Sequence, residues 1–368
     1  MTEDTSFTLH TGESDNSASN ASVPFFAALC LFLSAVEYAV PKPLPFMRLG
    51  LANLPILISL AKLRKRDVLL LIVFKVLGQA LISGTLFSYV FVFSAAGSVA
   101  SGLTMLALYL LFRRSGAVSN TGLSVAGAFA NNCAQVAVAR VMVFGANAKY
   151  IAPVLFATGL ATGLALGVFA DVFCARSEWY RNLTVGNTEG EVSPPLQSPR
   201  SAPVFSTSPS TGVSPVTPRI QFIIAMILFP VFLMQQNVFA VWGCTAVFFI
   251  MTAVKKHGKV RLLPSLFMTL GVTFFSLLSP YGKVLFSLGS FHITQDALVT
   301  GLRKSGILSG MVFLSQFAIS PRLELPGRMG RFLGSMFTTF DELTSKRISF
   351  KRGHVIEALD ARLAELWK

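Results

Sequence analysis

Long apolar segments, separated by short polar or basic ones, dominate the chain. They recur from Pro24 to Cys174 and again from Ile220 to Ser320. A run of about 20 apolar residues is long enough to cross the hydrocarbon core of a bilayer as a helix. The pattern therefore predicts an all-α membrane protein built from two groups of helices.

The apolar runs divide into about ten predicted membrane spans. The first group contributes six spans, at 24–40, 48–62, 67–84, 86–112, 122–144 and 150–174. The second group contributes four, at 220–235, 238–254, 262–279 and 305–320. We therefore predict a polytopic membrane helix bundle with about ten transmembrane helices in two modules, six plus four.

Polar segments mark the domain boundaries. Residues 1–23 are polar and acidic and are expected to form a disordered tail. Residues 176–219 repeat Ser-Pro pairs and predict a flexible cytoplasmic linker between membrane domains at 24–175 and 220–332. In the tail at 333–368, apolar residues recur at helical spacing among charges, which predicts an amphipathic helix on the cytoplasmic face.

Composition and charge agree with a membrane location. Charged residues make up 13% of the chain and mean hydropathy is +0.63, whereas soluble domains carry about 25% charge. The net charge of +14 lies in short clusters at the ends of the predicted spans. That placement indicates membrane topology rather than a nucleic-acid-binding surface. It predicts a protein of the cell's inner membrane with both termini in the cytoplasm. Arg303 and Lys304 oppose this scheme, because they precede the last span on the nominal outside.

The sequence offers little for catalysis. The four cysteines form no CxxC pair, and none of the four histidines lies in the middle of a predicted span. Neither a phosphate-binding GxxxxGK[ST] loop nor an aspartate-rich motif for magnesium is present. We therefore expect no catalytic residues, no metal site and no cofactor in this chain, and we expect a function other than that of an enzyme.

Polar side chains inside the predicted spans are the candidate ligand-binding residues. Such groups are costly in hydrocarbon and usually face a cavity or a partner. The set comprises Glu37, Asn53, Lys75, Gln79, Asn131, Asn132, Gln135 and Arg140. Two interpretations stay open, namely recognition of a polar solute and hydrogen bonding or charge pairing between helices.

Glycines at regular spacing predict close helix packing. Gly159, Gly163 and Gly167 stand four residues apart in the sixth span and form a ridge of small residues. Such ridges let another helix approach closely within a membrane. A docking face for a partner subunit is the alternative.

Several motifs of the first module resemble a known family. They are Leu33-Ser34-Ala35-Val36-Glu37, Arg48-Leu49-Gly50-Leu51-Ala52-Asn53-Leu54, Phe93-Ser94-Ala95-Ala96-Gly97 and Gly127-Ala128-Phe129-Ala130-Asn131-Asn132-Cys133-Ala134-Gln135. Over residues 24–175 the chain resembles the Gx transporter family, also labelled heptaprenyl diphosphate synthase component I. That family is similar to the substrate-binding S components of energy-coupling-factor (ECF) transporters, which are six-helix membrane proteins. Where the family often has His-Asn, this chain has Asn131-Asn132.

The second module more weakly resembles the transmembrane T component of the same transporters. The segment that carries this resemblance runs from Phe291 to Arg303. T components hold their ATPases through Ala-Arg-Gly-like motifs, and the match in this chain is Ala361-Arg362-Leu363. The resemblance implies ABC-type ATPase subunits as partners, with ATP used by those partners in trans.

Together these features predict a membrane subunit of an ECF-type uptake transporter. Its first module would bind a small-molecule solute, and membrane lipid would surround both modules. No nucleic-acid partner is expected. The alternative is a membrane accessory subunit, component I, of a heptaprenyl or other polyprenyl diphosphate synthase.

Overall fold

The structure is a computed structural model, and it describes most of the apolar part of the chain. The described residues are 14–39, 50–114, 119–183, 218–255, 262–278, 281–288, 291–319, 327–345 and 355–367. The beginning of the predicted disordered tail and most of the Ser/Pro-rich linker lie outside these residues.

The first module consists of seven α-helices and short helical turns within the described residues. Its α-helices are α1 (Ser14–Ala39), α2 (Leu54–Ser59), α3 (Lys65–Ser83), α4 (Tyr89–Phe112), α5 (Asn120–Val138), α6 (Ala152–Arg176) and α7 (Glu178–Asn182). A 3-10 turn at Leu51–Asn53 precedes α2. A π-helical turn at Ala139–Phe144 and a 3-10 helix at Gly145–Tyr150 join α5 to α6.

The second module and the C-terminal region add six helices and one hairpin within the described residues. The helices are α8 (Pro218–Leu233), α9 (Val238–Lys255), α10 (Leu263–Leu277), α11 (Gln295–Ala318), α12 (Gly327–Ser345) and α13 (Val355–Trp367). The antiparallel strands β1 (Val284–Leu288) and β2 (Phe291–Thr294) pair between α10 and α11. The prediction of an essentially helical chain is confirmed, but this short hairpin was not expected.

The beginning of the first module differs from the prediction. Helix α1 starts at Ser14 and continues through Pro24, so residues 14–23 are helical where disorder was expected. The second predicted span, 48–62, is a 3-10 turn followed by the short helix α2. Six helical residues rise only about 9 Å, too little to cross a bilayer. Hydropathy missed this break because the segment is apolar but buried within the bundle.

Four described helices are long and apolar enough to cross a membrane. They are Tyr89–Phe112, Ala152–Arg176, Val238–Lys255 and Gln295–Ala318. Shorter apolar helices occupy Ser22–Glu37, Ile220–Leu233 and Ser265–Leu277. A membrane location is therefore supported, while the count of ten spans and the placement of the termini stay predictions.

Small residues bring α5 and α6 together. A Cβ atom built at Gly159 would overlap the Asn132 side chain, and one at Gly163 would lie 2.9 Å from the Cβ of Ala128. At Gly167 it would overlap the backbone of Thr121. The glycine ridge thus faces α5 within the chain, which is the close packing that small residues permit in membranes.

The second module is held by threonine hydroxyls as well as by apolar contacts. The Oγ1 of Thr245 donates to the carbonyl of Gly306 at 3.0 Å, and that of Thr252 donates to the carbonyl of Phe313 at 2.9 Å. Because these partners advance together along both helices, α9 and α11 run parallel. At their shared end, Lys255 donates to the carbonyl of Ile319 at 3.0 Å.

The two modules meet with one end of the first against the flank of the second. In the α3–α4 turn, the Phe87 amide donates to Ser315 Oγ at 3.0 Å, and that hydroxyl donates to the Gly84 carbonyl at 2.8 Å. At the α5–α6 connection, the Asn147 side chain donates to the Phe275 carbonyl at 2.6 Å.

These two contacts lie far apart on the second module. The end of α10 packs at Gly301, where a Cβ would lie 2.9 Å from the Cα of Thr273. Fourteen helical residues, about 21 Å, separate Gly301 from Ser315 along α11. One end of the first bundle therefore lies along the side of the second bundle. The helices of the first bundle are strongly inclined to those of the second.

The C-terminal helices return to the first module. On α12, Phe332 stacks on Phe74 of α3 with ring centroids 4.4 Å apart, and Met336 lies over Gly78 and Leu31. The domain boundary predicted at 332/333 falls within α12, and the division into domains stays a prediction. The spacing of apolar residues did not reveal this packing, because the groove between α1 and α3 that receives the apolar face of α12 forms only in the folded chain.

Helix α13 packs against α7. The Asp360 carboxylate accepts hydrogen bonds from the Ser177 hydroxyl and from the amides of Glu178 and Trp179, the latter two at 3.2 Å. Close by, the Tyr180 hydroxyl donates to the Ile58 carbonyl at 3.0 Å. Burial raises the pKa of Tyr180, so the phenol keeps its proton and serves as a donor.

Candidate functional site

Five elements bring polar side chains together inside the first bundle. They are the C-terminal part of α1, the 3-10 turn before α2, the middle of α3, the middle of α4 and the middle of α5. The turn exists because Gly50 adopts a left-handed conformation with φ of 87°, which favours glycine. This break places the Asn53 side chain inside the bundle.

Charged and amide groups meet around Asn53. The Lys75 ammonium donates to Asn53 Oδ1, and Asn53 Nδ2 donates to Ser101 Oγ at 3.2 Å. Nearby, the carboxylate of Glu37 accepts a hydrogen bond from the Leu51 amide at 3.1 Å. Lys75 and Glu37 are each 2% exposed, so both ionisable groups are held inside the protein. Ionisable groups inside a membrane protein need a partner or a cavity, and this cluster supplies partners to both.

A second polar group forms one turn along α3. Gln79 donates to Ser34 Oγ on α1 and accepts from Ser94 Oγ on α4 at 3.1 Å. All three side chains are buried. Gln79 therefore links α1, α3 and α4. These contacts agree with the interpretation that Gln79 forms hydrogen bonds between helices.

Helix α5 supplies three buried amides. Asn132 donates to the Leu155 carbonyl on α6 at 2.6 Å, and Asn131 donates to Asn132 Oδ1 at 3.4 Å. The space for the Asn131 side chain exists because Gly97 of α4 has no Cβ, which would overlap Asn131 Oδ1. Asn131 and Gln135 lie against Gly97, in the middle part of α4, and α4 is one of the candidate membrane spans.

Gln135 differs from its neighbours. It is 0% exposed, and neither its Oε1 nor its Nε2 has a hydrogen-bond partner. A buried amide without partners costs about 1–3 kcal/mol. The side chain lies beside Gly97, whose built Cβ would be 3.5 Å from Gln135 Nε2. A ligand that supplied both a donor and an acceptor would recover this cost.

A narrow cavity runs beside these residues. It is lined by Gly50, Asn53, Leu54, Leu57, Ser101, Met105, Ser124, Ala128, Asn131, Asn132, Gly159, Thr162, Gly163 and Leu166. Its internal volume of about 20 Å³ is enough for about one water molecule. In this conformation the walls are therefore closed on each other, and a larger solute needs them to separate.

One predicted site residue, Arg140, lies elsewhere. Arg140 is exposed on the π-helical turn after α5 and does not line the cavity. It belongs to the π-helical turn Ala139–Phe144 and not to α5, which carries the three amides. The carboxylate of Asp171, near the end of α6, accepts a hydrogen bond from Thr121 Oγ1 on α5 at 2.7 Å.

The predicted coupling residues have different environments. Ala361 is exposed on α13. The Arg362 guanidinium donates to the Glu342 carbonyl at 2.7 Å and to Glu365 Oε2 at 2.6 Å. Arg362 thus ties α13 to α12 within the chain, which its position in an Ala-Arg-Leu triplet did not reveal.

Serines of α4 complete the site and were not predicted. Ser94, Ser98 and Ser101 are buried on one side of α4, facing Gln79 and Asn53. Their spacing of three and four residues is the available sequence signal, because it places small hydroxyls on one helical face. Small polar residues are common in membrane helices for packing, so the spacing did not distinguish them as site residues.

Comparison with known proteins assigns families to two parts of the chain. Residues 26–173 match the model of the family described as heptaprenyl diphosphate synthase component I. Residues 217–321 match a domain of unknown function, DUF8519. No curated protein and no solved structure matches the chain. The predicted resemblance of residues 24–175 is thereby confirmed, while the similarity to ECF components stays a prediction.

Proposed function

We propose that this chain is a membrane subunit of a solute-uptake system and that its first bundle binds a small polar molecule. The observation that carries this proposal is the cluster of buried amides at the middle of the bundle, in which Asn131 and Asn132 line a closed cavity and Gln135, one helical turn from Asn131, is unpartnered. Neighbouring helices satisfy Asn132, Gln79 and Asn53 but leave Gln135 unsatisfied. A purely structural network would be expected to satisfy it too.

The proposed solute site lies between α4, α5 and the turn at Leu51–Asn53. Asn131 and Gln135 would contact the solute directly, while Asn53, held by Lys75, would line the other wall. Broken helices that place backbone and side-chain groups at the middle of a membrane protein are a common basis for substrate sites. In the closed conformation described, the solute would enter after the α2 segment moves away from α5.

Release of the solute would follow a change in orientation of the first bundle. Support comes from its contact with the second module, whose flank receives the α3–α4 turn and the α5–α6 connection. If α9 and α11 cross the bilayer, then α4 and α6 are steeply inclined to its normal. Helices α12 and α13, which cover α1, α3 and α7, would transmit the movement driven by ATPases bound in trans.

The first test of this proposal is purification of the tagged full chain from native membranes in mild detergent, followed by mass spectrometry of proteins and small molecules. A pair of ABC-type ATPases and a retained polar solute are expected. Loss of that solute in the Asn132→Ala/Gln135→Ala variant, with retention in Cys133→Ser, would support the site. Cys133 is exposed on the same helix and serves as the matched control. Equal retention in both variants would show that the site assignment is wrong.

A second candidate function follows from the name of the matched family. That name describes one component of a heptaprenyl diphosphate synthase, so the chain would serve as a noncatalytic membrane partner of a prenyl diphosphate synthase. The same purification separates the candidates. A soluble synthase subunit without ATPases would favour this second function and exclude the uptake proposal.

A further inference from the structure

A second cavity lies at the opposite end of α4 from the inter-module contact. It occupies about 340 Å³ between the segment that leads into α3 and the last turns of α4. This is much larger than the closed cavity beside the amides. Helix α4 is a candidate membrane span and ends at Phe112, beside this cavity. The basic residues at this end suit contact with lipid headgroups.

Two kinds of side chain line this cavity. Leu63 and Leu106 are buried and form an apolar inner wall, which Leu110 extends outward. Arg64, Lys65 and Arg113 lie at its mouth and are exposed. An apolar wall beneath a cationic mouth matches the two parts of an anionic lipid.

The charge at the mouth favours an anion. Three cations line the cavity, and the acidic Asp67 next to Arg64 offsets one of them. Arg66 and Arg114, both exposed, add positive charge from the neighbouring positions. Each cation near a membrane surface strengthens binding to anionic lipid by about fivefold.

We propose that this cavity binds the phosphate headgroup of an anionic phospholipid, with Arg64 and Arg113 on the phosphate and an acyl chain along Leu106 and Leu110. Guanidinium groups suit this role because their planar donors match phosphate oxygens in pairs. Bound lipid would fix the end of α4 to the start of α3. This site is independent of the solute site in the same bundle.

The test measures lipid binding by the purified full chain in detergent, using native mass spectrometry. Dioleoyl phosphatidylglycerol is expected to bind the unmodified chain more tightly than dioleoyl phosphatidylcholine, which has the same acyl chains and no net charge. The Arg64→Gln/Arg113→Gln variant should lose about thirtyfold in affinity for phosphatidylglycerol. Both arginines are exposed, so the variant is expected to keep its fold, and size-exclusion elution checks this.

Matched controls separate a specific site from general attraction to positive charge. The Arg140→Gln/Arg176→Gln variant removes the same charge from exposed arginines outside the cavity and should keep its affinity. Equal losses in the two double variants would overturn the proposal, as would equal binding of the two lipids.

Glycerol phosphate distinguishes a lipid from a free anion. It carries the phosphate without acyl chains and is expected to compete weakly. Competition as strong as that of phosphatidylglycerol would show a site for a soluble phosphate and contradict the lipid assignment. The Leu110→Asn variant should weaken lipid binding and leave glycerol phosphate binding unchanged, because it alters only the apolar wall.

Discussion

At the scale of single residues, Gln135 and Asn132 differ in their hydrogen bonding. Both amides are buried on α5, yet Asn132 donates to the Leu155 carbonyl while Gln135 has no hydrogen bond. The two amide side chains therefore contribute differently to the stability of the closed conformation. That difference can be measured, because it predicts stability changes of opposite sign.

Replacement of Gln135 by leucine should stabilise the protein without solute by about 1–3 kcal/mol, because it removes an unpaired buried amide. Replacement of Asn132 by leucine should destabilise it, because the hydrogen bond between α5 and the Leu155 carbonyl on α6 is lost and the larger branched side chain presses on Gly159. Thermal unfolding in detergent, followed by circular dichroism, measures both. A destabilised Gln135→Leu variant would indicate that the amide has a structural role.

The glycine ridge of α6 gives a second prediction at this scale. Gly159→Ala should destabilise the protein by about 1–3 kcal/mol, because the added methyl group overlaps Asn132 and forces α5 and α6 apart. Gly243→Ala on α9 is the matched control, since its added methyl meets no atom within 4 Å. The control should be neutral or slightly stabilising, as alanine favours helices over glycine. Equal effects of the two changes on the unfolding temperature would contradict the packing argument.

At the scale of elements, the sequence predicted most helices but failed where a helix breaks or is covered by another. Helices α3, α4, α6, α9 and α10 lie close to their predicted spans because each is a continuous apolar run. The segment around Asn53 is just as apolar, yet it folds as a turn and a short helix. Hydropathy reports how apolar a segment is. It does not distinguish a membrane span from a short segment enclosed by protein.

The candidate site was predictable only in part for a related reason. Asn131, Asn132 and Gln135 stand out because three amides in five residues are unusual within an apolar run. Which of them is satisfied depends on the Leu155 carbonyl and on Gly97, which come from other helices. Arg140 was assigned to the site because it is a charged residue inside a predicted span, and the structure places it on the exposed side of the π-helical turn.

Helix α13 gives a prediction for an element. Asp360→Ala should release α13 from α7, because the carboxylate accepts from the first amides of that helix and from Ser177. The expected cost is about 1–2 kcal/mol for a lost cap. Hydrogen exchange over residues 355–367 should become faster. Ala361→Ser, an exposed neighbour, should leave that exchange unchanged, and protection equal to that of the unmodified chain in Asp360→Ala would exclude the capping role.

At the scale of the whole molecule, the arrangement of the two modules decides how both can sit in one bilayer. The charge pattern places the α3–α4 turn outside and the end of α9 inside. The structure nevertheless puts that turn against Ser315, close to the end where Lys255 binds the Ile319 carbonyl. Two upright bundles with the predicted orientation would keep these groups on opposite membrane surfaces.

Cysteine cross-linking tests this arrangement. In a background without native cysteines and with a protease site in the Ser/Pro-rich segment, a short bifunctional maleimide should join Thr85→Cys to Gln316→Cys. The control pair, Thr85→Cys with Val299→Cys, should stay separate because position 299 lies at the other end of α11. After proteolysis, joined halves migrate together on a denaturing gel. Joining of the control pair alone would require the bundles to pack differently.

The position of α12 has a consequence for biosynthesis. The groove between α1 and α3, where Leu31, Phe74 and Gly78 lie, is covered by residues that the ribosome adds only after the second module. Throughout synthesis of the linker and the second module, that groove has no partner from its own chain. The first module thus completes its surface only after the second module has been made.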